Sequence, residues 1–471
     1  MIITKKQLAA LLSLICAIGM ASCANTGTKL LTGFGRQEIM PATSTPLAGG
    51  DYSKRYYTEI LDTLYVTCVA LQQADQTILL YTMDLIAAED LFVDPAKAAI
   101  SKATGIPQEN ILINATHTHA APAIRNDFDG VDAYRKKFFS AMVEAAKIAI
   151  GDLSPAQVYY GSTQAERMAF VRHYKLSDGS YAGPNFGNFA NGDIVGHAAP
   201  ADTELQLVQF KRKGKKNVVL MNFPAHAGMN GKQADTKLSA DFPGPARDYI
   251  EANSNSLVAY FIAAGGDQTP YSNDTAEHLF AREQYREYGQ ALGKYAVDAL
   301  SCLTRQNDVT LKLSTKTVTY NSNKDKIDKQ LQAQTVINAA RQYGVNAPET
   351  VQLAQELGFT SYYEANAIKS RVSFPQIQNM ELRAMTIGSL GFIFAPYEMF
   401  STQGMYIKDN APCDDTFIVT CSEGAMGYLP SQTGVQINCY EACVTKFAYG
   451  TAEKLADDFV SMLTDLKTTN S

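Results

Sequence analysis

The chain has no tryptophan and only six histidines among 471 residues. Any aromatic wall around a substrate must therefore be built from tyrosine and phenylalanine. No GxSxG stretch occurs, which excludes a serine nucleophile on a strand-to-helix elbow. HExxH is absent, so the chain is not a zincin, and no GxxxxGK[ST] loop is present to cradle a nucleotide phosphate. There is no excess of positive charge: the formal net charge is −6, which gives no electrostatic reason to bind nucleic acid. Beyond the N-terminus, no segment reaches the roughly 18 apolar residues of a membrane-spanning helix.

What is present begins with an address. Lys5 and Lys6 precede the apolar run "LAALLSLICAIGMA", which is too short and too N-terminal for a span and reads as a secretory signal over residues 1–22. It ends in "MASC", which resembles a bacterial lipoprotein signal and implies lipidation of Cys23, with 23–32 as a tether. The expected location is exported and membrane-anchored, facing the periplasm or held at the outer membrane, and acyl chains would hold the protein at a surface without spanning it. Export implies an oxidising compartment. Six cysteines follow Cys23, and bridges such as Cys413–Cys421 or Cys439–Cys443 are compatible with their clustering, although sequence does not fix the pairing.

The remaining composition, 46% hydrophobic and 19% charged, is that of a globular chain with a large core. Apolar strand patterns at 64–71, 76–86, 109–119, 216–228 and 256–270 alternate with helical patterns at 94–106, 133–153 and 281–303. Polar motifs follow the strand ends. The pattern predicts an α/β fold: one large catalytic domain over 33–471, with a mixed sheet core flanked by helices. Residues 324–372 are charged and helical without a catalytic cluster, so they are expected to form a helical insertion or lid. Strand patterns at 380–400 and 416–430 follow, and a helix at 451–466 closes the chain.

In "NATHTHAAPA", His117 and His119 stand two apart at a predicted strand end, where residues i and i+2 share a face. Alone, such a pair reads as buried imidazoles bonded to carbonyls, or as a metal ligand with a proton-transfer neighbour. His226, in "NFPAHAG", also follows an apolar strand, and two strands delivering imidazoles to their polar ends imply convergence. A hydrolytic zinc site wants about three protein ligands and an open position. Glu398 in "APYEMF" and Asp267 in "AGGDQTP" both meet the need for a strand-end carboxylate.

These motifs, in order, resemble the neutral/alkaline ceramidase family. "THTHAAPA" looks like its THTHSGP-type motif. The likeness continues through "GFGRQEIMP…PLAG", "LDTLYVTCVAL", "FVRHYKLSDGS", "NFPAHAGMNG", "LSADFPGPARDYIE", "AAGGDQTP", "APYEMF" and "GAMGYLPSQTGVQINCYE", from residue 33 to about 465. The resemblance implies one Zn²⁺ per chain, held by His117, His226, Glu398 and Tyr428, and hydrolysis of the amide of N-acylsphingosine. It implies His119 as the neighbour that handles protons or oxyanion, Arg172 as a cation near the substrate carbonyl, and Thr269 where the family has serine. Tyr397 replaces the glycine before the glutamate. The extra C-terminal β-sandwich of full-length ceramidases is not expected here.

Other residues have plainer expected roles. Asp267 fixes a turn, Asp241 N-caps the helix that follows it, and Asp62 and Asp84 are structural. His173 and His197 line a loop or rim, and His278 is solvated on a helix. The expected partners are a lipid or N-acyl amide substrate and a membrane surface; the oligomeric state is open. Two alternatives are a zinc amidase or esterase acting on another N-acyl lipid or small exported amide, and a non-catalytic lipid-binding lipoprotein.

Overall fold

The computed structural model describes residues 29–48, 55–124, 130–183, 193–230, 236–274, 277 and 279–468. The signal segment, Cys23, the tether up to residue 28 and His278 lie outside them. Among the described residues, no helix is long and apolar enough to cross a membrane.

Among the described residues, nine strands form the main sheet: β1 (Leu31–Glu38), β2 (Tyr65–Gln73), β3 (Gln76–Met83), β4 (Ile111–Ala115), β5 (Ser154–Gln164), β6 (Glu204–Arg212), β7 (Asn217–Phe223), β8 (Ser256–Ile262) and β9 (Thr304–Gln306). Their order is β8-β7-β6-β5-β1-β2-β3-β4, with β9 beside β5. The pairs β7–β8 and β3–β4 are parallel, and the rest are antiparallel. A second sheet runs in the order β10 (Leu311–Asn321), β11 (Ile377–Ile387), β12 (Leu390–Phe394), β13 (Asp415–Val419), and only β12–β13 is parallel.

Period-2 alternation explains the layering, because these strands are apolar on both faces. In β7, Val218 and Leu220 point into the core between the two sheets, whereas Val219, Met221 and Phe223 face outward. In β12, Leu390, Phe392 and Phe394 join the same inner core while Ile393 faces away. Helices cover the outer faces. Helices α1 (Asp90–Thr104) and α2 (Val131–Gly151) pack on β1–β4, and α3 (Pro243–Asn253) and α4 (Tyr285–Ala299) pack on the other half. The α2 face predicted from Phe138, Met142, Ala145 and Ala149 is the buried one. Gly33 and Gly35 let α2 approach β1 closely, since a Cβ at either would strike the Ala149 or Ala145 carbonyl.

Residues 324–372 carry their own small core on three helices: α5 (Gln330–Tyr343), α6 (Pro348–Glu356) and α7 (Tyr362–Ser373). Between α6 and α7 the chain turns at Gly358, which takes a φ of 82° that other residues avoid. After them come α8 (Ser401–Asn410), α9 (Gln432–Gln436), α10 (Tyr440–Val444) and α11 (Thr451–Thr468). Helices α8 and α11 close the outer face of the second sheet through Ile407, Leu455, Phe459 and Leu463.

The six described cysteines are all free thiols, so neither bridge compatible with their clustering forms. Cys439 packs under Phe400, Cys443 Sγ lies 3.2 Å from Thr360 Oγ1, and Cys421 points at an imidazole.

One feature of the topology creates the site. The main sheet curls until its edge strands β8 and β4 approach each other: Thr82 Oγ1 on β3 donates to Tyr260 O on β8 at 2.5 Å. The residues after β13 fill the gap between them. Thr420 N donates to Ile262 O (3.1 Å), Ala115 N to Cys421 O (3.2 Å) and Glu423 N to Ile113 O (2.8 Å). The ends of β4, β7, β8 and β13 therefore meet at one place.

Candidate active site

His117 and His119 do not sit on a strand. β4 stops at Ala115, and His117 takes a left-handed backbone with φ 67°. The pair is adjacent because the chain turns there, not because a pleat aligns it. His117 N donates to Leu85 O (3.0 Å) and His119 N to Ala227 O (3.1 Å), which ties the two histidine loops together. A left-handed non-glycine residue stores backbone strain, and such positions concentrate at functional sites. His226 likewise lies three residues past β7, and its N–H donates to Gln268 O at 3.2 Å.

Glu398 and Tyr428 arrive together. Glu398–Met399 and Tyr428–Leu429 form a short parallel ribbon in which these two residues are register partners. Gly266 makes room for it, since a Cβ there would stand 2.7 Å from Glu398 O.

The polar atoms converge. His119 Nε2 lies 3.3 Å from His117 Nε2. Glu398 Oε2 is 3.4 Å from His117 Nε2 and 3.2 Å from His226 Nε2. Tyr428 Oη is 3.4 Å from His226 Nε2. The ligand nitrogens of His117, His119 and His226 all lie within 4.8 Å of one another. Tautomers are set from outside: His117 Nδ1 is 2.7 Å from Ile86 O and His226 Nδ1 is 2.6 Å from Gly265 O. A carbonyl only accepts, so each Nδ1 carries the hydrogen and each neutral imidazole turns its Nε2 lone pair inward.

Glu398 Oε2 is buried without a hydrogen-bond partner, although two imidazole nitrogens lie within 3.4 Å of it. Inward lone pairs facing a carboxylate oxygen repel one another unless a cation or a proton lies between them. The donor set, two imidazoles, a carboxylate and a phenol with His119 alongside, suits zinc. Without a metal ion, a proton fills the same need. Burial opposes a charge on His117, but Cys421 and Glu398 outweigh it and hold its pKa well above the ordinary value. Burial likewise pushes Glu398 up, yet His117 and His226 draw it well below the carboxylate range. His226 is lowered to about 4, by burial and then by Arg172 and His117. His119 falls well below its ordinary value through burial and the neighbouring His117 and His226, and is neutral near pH 7.

Arg172 borders this centre. Its Cζ lies 5.4 Å from the Tyr428 ring centroid, Nη2 donates to Gly266 O (2.9 Å), and Nε donates to Glu441 Oε1 (2.8 Å). His173 Nε2 takes the other Glu441 oxygen at 2.8 Å. Glu441 is buried and held well below the carboxylate range: burial pushes it up, and Arg172 and then His173 overcome that. His173, Cys439 and Glu441 also lie within metal-binding reach of one another. Here the Arg172 guanidinium already neutralises the carboxylate, so the cluster reads as a brace.

Thr269 lies on the short strand Gln268–Thr269, paired with Phe170–Val171, next to Gln268, whose carbonyl accepts from His226 N. Asp267 accepts from Ser401 N (2.7 Å) and Oγ (2.9 Å), so it caps α8 rather than pointing into the site. Asp241 does not N-cap α3: its oxygens accept from Asn230 N (2.6 Å) and Phe242 N (2.7 Å), which anchors the loop carrying His226. Asp84 pairs with the buried Arg247 at 3.2 Å, and Asp62 takes Tyr285 Oη at 3.1 Å; both are structural. His197 bonds Glu277 at 2.8 Å.

Glu441 has no role legible in the sequence, although it lies within the motif "GAMGYLPSQTGVQINCYE". Its only local signal is a glutamate at the first turn of a short apolar helix, and nothing in that spacing points to Arg172, 269 positions earlier. The supporting Ile86 and Gly265 carbonyls and Cys421, 3.5 Å from His117 Nδ1, were equally invisible.

No family model and no curated protein matches the sequence. Solved structures do. The crystal structure of the neutral ceramidase from Pseudomonas aeruginosa superposes with a TM-score of 0.69 at 16% identity, covering 93% of this chain and 75% of that one. A ceramidase complexed with C2 gives a TM-score of 0.69 at 15% identity with the same coverages. The chain has the fold of these proteins: a large mixed sheet flanked by helices, continuous over nearly its whole length.

Proposed function

We propose that this chain is an exported zinc-dependent amide hydrolase that cleaves N-acylsphingosine into a sphingoid base and a fatty acid. One observation carries the reading: the bare Glu398 Oε2, faced by the Nε2 atoms of His117 and His226, forms an acceptor-lined cage that calls for a cation. The shared fold supports the same reaction class. His117, His226, Glu398 and Tyr428 would hold the metal. Bound there, zinc lowers the pKa of a water to about 7 and polarises an amide carbonyl.

The chain's own groups do the rest. His119, neutral through burial, takes a proton on the nitrogen that faces His117 and returns it to the leaving amine. Arg172 stays charged: burial opposes this, but Glu441 outweighs it. Its guanidinium, fixed by Glu441 and Gly266 O, stabilises negative charge developing on the carbonyl oxygen, at no cost of reorganisation. Glu441 and His173 orient it. The Tyr440 ring stands beside Tyr428, with ring centroids 6.0 Å apart.

The test is metal content per chain together with fatty-acid release from N-acylsphingosine, for wild type and His117→Ala. We expect one zinc per chain, turnover in wild type, and loss of both in the variant. Turnover of short N-acyl amides with none of N-acylsphingosine would move the assignment to another amide. A wild-type chain that binds no divalent metal would sink it.

A further inference from the structure

The two ends of the main sheet differ in charge. At the end opposite the imidazoles, an open cavity of about 600 Å³ is lined by Lys29, Lys211, Arg212, Lys213 and Arg305, and none of its twelve lining residues is acidic. In a chain of net charge −6, this is a local inversion. Arg212 is buried and neutralised by Asp152. Lys29, Lys211, Lys213 and Arg305 are exposed. The registers place the cavity: Leu31 pairs with Pro155, Arg212 with Ala156, and Arg305 with Tyr159. Leu31, Pro155, Ala156 and Arg212 lie level with the start of β7 or before it, and Arg305 is level with Val219, whereas His226 follows the far end of β7, whose length is roughly 20 Å. Lys211 Nζ stands 3.9 Å from the Tyr159 ring centroid, which holds it in place.

The cavity is also the root of the N-terminal segment. Lys29 lines it, and five residues lie between Cys23 and Lys29, a span of at most about 20 Å. We propose that this basic cavity seats on the phosphate headgroups of an anionic phospholipid surface. It would act with the acyl chains expected on Cys23 as the second of the two signals that stable anchoring takes. Seated this way, the protein turns its imidazole cluster away from the anchoring bilayer. On the amidase reading, on which this last consequence rests, substrate then reaches the site from the aqueous side.

The test compares binding of the full chain to phosphatidylcholine vesicles and to vesicles containing one third phosphatidylglycerol, for wild type and for a variant with Lys211→Ser, Lys213→Ser and Arg305→Ser. The anchor is common to every arm, so the anionic-to-neutral binding ratio isolates the cavity. Each cation is worth about fivefold near such a surface, so the ratio should fall on the order of 100-fold in the variant. Wild-type preference should also collapse in ~0.5 M salt. An unchanged ratio in a variant with wild-type melting temperature would overturn the proposal. So would tight inorganic phosphate binding by calorimetry with no vesicle preference, which would make the cavity a site for free anions. Turnover of micellar N-acylsphingosine should persist when wild type is bound to anionic vesicles. Inhibition on binding would place the imidazole cluster and the cavity on one face and refute the orientation, and an enzyme with no turnover at all leaves the binding ratio to decide.

Discussion

Two buried histidine–glutamate clusters lie on either side of Tyr428. In one, Glu441 has both oxygens filled, by Arg172 and His173. In the other, Glu398 keeps an oxygen that accepts nothing, between two imidazoles whose protons are tied up elsewhere. Their residue types are nearly the same. What separates them is one guanidinium, which brings its own positive charge and leaves no deficit. The cluster that lacks a bonded guanidinium needs a proton or a metal cation in its place.

The contrast can be broken from the metal side first. Glu398→Gln should abolish high-affinity zinc and lower turnover by on the order of 10³-fold, since the metal supplies several kcal/mol of transition-state stabilisation. Its metal-free form should melt lower than metal-free wild type, because the amide is neutral and cannot offset the proton that Glu398 holds on His117. Metal analysis and melting in chelator read both; full zinc retention in the variant would mean that Glu398 is not a ligand.

Glu441→Gln should spare the metal. It leaves the Arg172 charge uncompensated and costs about 3–5 kcal/mol of stability. Turnover should fall roughly 10–100-fold through a misplaced Arg172, the range set by losing an orienting partner, with zinc retained. The pH sign follows from the depressed native pKa. The stabilisation Glu441 gives is complete above its unfolded value of 4.5 and is lost as pH falls toward the native one. The stability gap between wild type and variant should therefore be flat near neutrality and narrow below about pH 4.5. A gap that widens in acid would refute the depressed carboxylate. Smallest of all, Cys421→Ala should change zinc affinity by less than about tenfold, because Ile86 O already fixes the His117 tautomer; competition against a chelator measures this.

Much of the molecule was legible from periodicity. The strands around 64–83 and 217–223 and the helices around 94–104 and 131–151 declare themselves by apolar spacing, because each must bury a face whatever its neighbours do. The turn at Gly358 between α6 and α7 is not legible, since a glycine breaks a helix only where tertiary packing makes use of its positive φ. The convergence of His117 with His226 was legible as two strand ends bearing imidazoles. The reason it occurs was not, because it depends on a curled sheet whose edges are joined by residues 420–423.

By itself, then, the sequence determined which residues could carry the chemistry and which segments would be buried, because side-chain type and local spacing are properties of the chain. Tertiary structure alone decided that Glu398 would stay bare while Glu441 was paired, and that the basic run near residue 211 would lie at the root of the N-terminal segment, far from the imidazoles. Charge compensation and placement depend on contacts between positions hundreds of residues apart, and no local pattern encodes them.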